Sequence, residues 1–140
     1  MAVVGFSFTK ILVEKNDQQQ GKTVVNHHIR ILDLVEVPLA LGSATEKGLR
    51  FNFAFHVDYN PNFGKIHLEG YMLYMAKPEE KQKLLDTWKK DKKVDKELET
   101  FLLRQALEKS TIQAVLMAKE INLPAPVPLT PKIIPRDQKK

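Results

Sequence analysis

The sequence predicts an α+β fold: a four-stranded antiparallel β-sheet followed by a short and a long C-terminal helix packed on one face. Three observations lead there. Four stretches before residue 76 alternate apolar and polar side chains with a period of two. Apolar residues after Pro78 recur at helical spacing. The order is strands first and helices last, which places the helices on one face of an antiparallel sheet. The 140 residues fit one domain, taken as 1–131, with a basic flexible tail at 132–140.

The first strand is read over Val3 to Val13, with Phe6 and Phe8 on one face and Ser7 and Thr9 on the other. A polar turn, Glu14 to Lys22, follows, carrying Asn16-Asp17 and Gly21. The second strand spans Thr23 to Val37. Ile29, Ile31, Val35 and Val37 share one parity, yet Leu32 and Leu34 are apolar on the other. An extra residue near Ile31–Asp33 reconciles the two halves, so a β-bulge is expected there. Pro38, lacking an N–H, is expected to end the pairing. Leu39 to Leu49 then reads as a connection between distant strand ends.

Arg50 to Tyr59 has the cleanest alternation, with Phe51, Phe53, Phe55, Val57 and Tyr59 on one face. Core packing is the favoured reading of these phenylalanines, because the glycines and basic residues of an RNA-stacking signature are missing. Asn60-Pro61-Asn62-Phe63-Gly64 is a turn, so residues 50–76 form a hairpin. Lys65 to Ala76 is apolar on both faces in its second half, which predicts a central strand or one that meets another subunit. Gly70 marks a close approach or a bulge.

Pro78-Glu79-Glu80 opens the short helix, with proline and acids suited to its first turn. Leu84, Leu85 and Trp88 give it an apolar stripe, and Lys89 to Lys93 is read as a solvated break. Asp95 is expected to cap the long helix. That helix is apolar on more than one side, which calls for cover by the sheet and by a second subunit. Pro124 stops it, and Pro124, Pro126 and Pro128 predict a stiff polyproline-like arm.

Composition narrows the function classes. The hydrophobic share is 43% and the charged share 28%, an ordinary globular balance. There is no cysteine, which excludes disulfides, thiolate metal sites and a cysteine nucleophile. The N-terminus has no basic region ahead of a long apolar run, so no signal peptide is expected. No stretch reaches the roughly 18 apolar residues of a membrane span, so no membrane insertion and a cytoplasmic setting are expected.

Candidate chemistry is sparse. His27 and His28 are adjacent on a strand and point to opposite faces, so they cannot chelate one metal together. With His56 and His67 they complete the histidine set, read as surface or rim residues. Asp33, Asp58 and Glu69 lie inside strands, but nothing in the sequence shows them converging for acid–base work. No phosphate loop, nucleophile elbow or zinc-protease helix is present. The expectation is a non-enzyme with no cofactor. The net charge of +5 permits an acidic partner. A ribosome or RNA would be faced by Lys89, Lys90, Lys92, Lys93, Arg136, Lys139 and Lys140.

The run Ile121-Asn122-Leu123-Pro124-Ala125-Pro126-Val127-Pro128-Leu129 after the long helix, behind four strands, resembles SecB, the bacterial protein-export chaperone family, and looks closer to its archaeal SecB-like relatives. In that family a long helix leads into an Asn-Leu-Pro-Pro-Val-Asn-like segment. Here Asn122-Leu123-Pro124 and Pro126-Val127 occupy its place, and the likeness spans roughly Phe6 to Leu129. The resemblance implies subunits paired into dimers and tetramers, with apolar grooves that hold unfolded or nascent polypeptide. Met72, Tyr74, Met75 and Trp88 are the candidate groove lining, since methionine adapts to varied clients. Members of the family are typically acidic, whereas this chain is basic.

Overall fold

A computed structural model describes residues 2–16, 23–41, 44–60 and 63–126. Four strands come first: β1 (Ala2–Lys15), β2 (Val24–Leu41), β3 (Ala44–Asn60) and β4 (Gly64–Met75). Helices α1 (Pro78–Asp91) and α2 (Lys96–Glu120) follow. The strands form one antiparallel sheet in the order β1-β4-β3-β2, so β4 is central, as its two-faced apolar half requires.

The expected bulge is present: the β2–β3 register slips between Ile31 and Asp33. Without that extra residue Leu34 would face away from Phe51, its partner. The expected break at Pro38 does not occur. Pro38 pairs with Lys47, and the ladder runs on to Leu41 opposite Ala44. Because β2 is an edge strand, a residue there can lack an N–H at no cost when that position faces outward. Leu39 to Leu49 is therefore not a crossing connection but the two arms of a hairpin. β1 and β2, consecutive in sequence, instead lie at opposite edges of the sheet.

The inner face carries the odd-numbered residues of β3 and the even-numbered residues of β4. Phe51, Phe53, Phe55 and Val57 are fully buried, as are Ile66, Leu68 and Met72. Both helices lie on this face. α1 is anchored over β2 by an ion pair between Lys81 Nζ and Glu36 Oε2 at 2.9 Å, and that hydrogen bond holds the Glu36 carboxyl below its ordinary range. α1 extends through Asp91 and closes on Lys92 in the left-handed conformation, so Lys89 and Lys90 belong to the helix rather than to a break. Asp95 caps α2 by accepting from the Leu98 amide.

α2 meets the sheet through Leu102, Ala106, Ser110, Ala114 and Ala118, one residue per turn. Small side chains let the helix axis come close to the bulky phenylalanines beneath it. Its end is a Schellman motif: Asn122 is left-handed (φ 58°), the Leu123 amide donates to the Ala118 carbonyl and the Asn122 amide to that of Lys119. Leu123 folds back into the core beside Ala118. The arm beyond is tied down where the Tyr59 hydroxyl donates to the Pro124 carbonyl at 2.6 Å. Residues 127–140 lie outside the described part of the chain, and with them the rest of the arm, the tail and Arg136, Lys139 and Lys140.

Candidate functional site

Three of the four residues expected to line an exposed groove are in the core. Met72 is fully buried, and Tyr74 and Trp88 are 6% and 8% exposed. The reason is the pleat. Met72 and Tyr74 share the parity of Ile66 and Leu68, and α1 lays Leu84 and Trp88 over them. Tyr74 does floor a cleft of about 370 Å³ between α1 and the start of α2, bordered by Glu80, Lys83 and Asp95. Burial pushes its phenol up from the usual value, with Glu80 adding to the shift.

Met75 alone is on the outer face, which carries no helix among the described residues. There it lies beside Leu39, above Gly48. A Cβ at Gly48 would come within 2.3 Å of Leu39 Cδ1 and 3.1 Å of Met75 Sδ. The missing side chain lets Leu39 sink against the strand, to 7% exposure on a face with no helix above it. Arg50 is stacked over the Tyr71 ring at 4.0 Å and its Nε donates to Asn52, on the same face.

The second apolar surface is on α2. Phe101, Ile112 and Leu116 are 44%, 64% and 50% exposed and share the side of the helix turned away from the sheet. This is the surplus apolar side expected from the sequence. Among the described residues the sheet ends in two long edge strands, β1 and β2.

The lysine group is on the surface. Lys89, Lys90, Lys92 and Lys93 are all exposed, and none is in an ion pair among the described residues. Lys92 Nζ rests 5.7 Å from the centre of the Trp88 ring.

One constellation was missed at the sequence level. His28, His56 and His67 stand in one row across β2, β3 and β4, on the outer face. His56 Nδ1 and His67 Nδ1 are 3.2 Å apart. His56 Nε2 is 2.8 Å from Asp58 Oδ1, and His67 Nε2 is 2.6 Å from Glu69 Oε2. The hydrogen bond from His67 holds the Glu69 carboxyl below its ordinary range, with a smaller contribution from Lys10. The signal was available, since a hairpin that closes Tyr59 on Gly64 necessarily sets His56 opposite His67.

Searches of protein-family models, of curated proteins and of solved structures found no match to this chain. Among the described residues, no helix is long and apolar enough to cross a membrane.

Proposed function

We propose that this chain is a non-enzymatic binding protein that assembles with copies of itself and holds extended, apolar polypeptide, in the manner the SecB resemblance implies. The observation that carries the reading is the outward side of α2. Three large apolar residues, Phe101, Ile112 and Leu116, are left in water on a helix whose other side already covers the sheet. Such a surface is unfavourable unless something covers it. A second copy is the occupant assigned to this stripe, giving a dimer or tetramer. The edge strands β1 and β2 suit an extended chain, which can add to a sheet edge through its backbone whatever its sequence. A cytoplasmic setting belongs to this reading.

The test is suppression of light scattering by an unfolded client. At several-fold molar excess of this protein, aggregation should fall; unchanged aggregation overturns the reading. A monomeric mass at micromolar concentration overturns the assembly.

A second reading is favoured by one observation, the four exposed lysines at the α1–α2 junction, none in an ion pair among the described residues. It assigns the chain to a ribosome or another RNA. RNA affinity should then drop steeply with added salt, because each phosphate contact releases counterions. Binding that is absent, or indifferent to salt, removes it.

A further inference from the structure

The histidine row on the outer face has a proton count that two neutral imidazoles cannot satisfy. Three close contacts run in a chain from Asp58 through His56 and His67 to Glu69. Each needs something positive between its two heavy atoms. An ionised carboxylate only accepts, so each Nε2 must donate to its own carboxylate. Two neutral rings have then used both of their protons. The two Nδ1 atoms face each other at 3.2 Å with lone pairs only. A third proton or a metal ion must lie between them, or the rings must separate.

We propose that His56 and His67 take one divalent transition-metal ion of the zinc class between their Nδ1 atoms. Two Zn–N bonds of about 2.0–2.1 Å at a tetrahedral angle set their nitrogens about 3.3 Å apart. The observed spacing is close to that. The carboxylates add what a metal-binding imidazole ordinarily has: a hydrogen-bond acceptor on the other ring nitrogen, which fixes the tautomer and makes the ligating nitrogen more basic. Antiparallel pairing explains the layout. Asp58 and Glu69 each lie two residues from their histidine, but on opposite flanks of the row. The Nε2 atoms are thus drawn apart and the Nδ1 atoms are turned inward.

The site is open. His56 and His67 side chains are 24% and 25% exposed, enough for water to fill the remaining coordination positions. Among the described residues no group of three or more metal-capable side chains converges on one point, so this is a two-histidine site. His28 is next in the row, its ring centre 5.3 Å from that of His56. Lys10, Arg30 and Lys65, on the flanking rows, oppose a cation; Asp58, Glu69 and Glu14 favour one. Imidazole donors with no thiolate suit zinc, nickel or copper(II) and are a poor match for magnesium or calcium.

The experiment is calorimetric titration of untagged, metal-stripped protein with zinc chloride at neutral pH, beside magnesium chloride. One zinc per chain and no magnesium uptake are expected. His56→Gln and His67→Gln should each abolish the uptake. Asp58→Ala and Glu69→Ala, which leave both ligands in place, should weaken it by about 10–100-fold. Nitrogen-15 spectra of the wild-type rings should show both Nδ1 resonances shifting on zinc addition while both Nε2 protons remain. No zinc uptake overturns the proposal. So does uptake that survives both histidine variants, or a third ring proton that zinc fails to displace, which would make the pair a shared-proton contact. Client binding plays no part in these readouts.

Discussion

The two faces of one sheet behave as different materials. On the inner face a row runs Phe8, Gly70, Phe53, Ile31 across the four strands. On the outer face a row runs Leu12, His67, His56, His28 across the same strands. Strand propensity and hydrogen-bond ladder are shared, and only the direction of the side chains differs. The inner row is closed over by α2 and its energy comes from burial. The outer row is partly open to water and held by charge-assisted hydrogen bonds worth little for stability. The stability of this protein thus belongs to one face, and the chemistry available to it belongs to the other.

The largest test of that division is Phe53→Ala. Phe53 is fully buried and in ring contact with Phe6 and Phe8, so the loss should be about 3–5 kcal/mol in a urea titration. Gly70→Ala comes next. Its Cβ would sit 2.4 Å from the Ser7 carbonyl oxygen and 3.1 Å from the Phe53 ring, and backbone cannot swing aside, so about 1–3 kcal/mol should be lost.

Tyr59 sharpens the picture by pH. Burial pushes its phenol up to about 12, from an ordinary value of about 10. The fold therefore favours the neutral form. Its contribution is complete below about pH 10 and is lost as pH rises through 12, which alkaline unfolding followed by tyrosinate absorbance will show. Tyr59→Phe removes that pH dependence along with the bond to Pro124, at about 0.5–1.5 kcal/mol. Ser110→Ala should go the other way. The Ser110 hydroxyl is fully buried with no hydrogen-bond partner among the described residues, and removing it should add about 1 kcal/mol to the melting free energy.

The smallest effect is expected on the outer face. Arg50→Ala removes the stack on Tyr71 and one hydrogen bond, about 0.5–1 kcal/mol by the same urea titration. A loss matching that of Phe53→Ala would break the comparison and mean that a second copy covers the outer face in solution.

Much of this architecture was legible in the chain. The phenylalanine alternation from Phe51 to Phe55, the Asn60–Gly64 turn, the bulge near Ile31, the cap at Asp95 and the stop before Pro124 are local. Each rests on a period, a dihedral preference or a missing donor that a few residues carry by themselves. Three features needed the folded whole. β2 continues through Pro38 because it lies at an edge, and only the strand order shows where the edges are. Met72, Tyr74 and Trp88 are core rather than groove, because a period of two says which residues share a face but not which face a helix will cover. The pairing of His56 with His67 follows from their hairpin, but His28 joins them only through the β2–β3 register that the bulge resets. Sequence determined the alternation and the punctuation; the docking of α1 and α2 on one side decided which half of that alternation became core and which was left facing water.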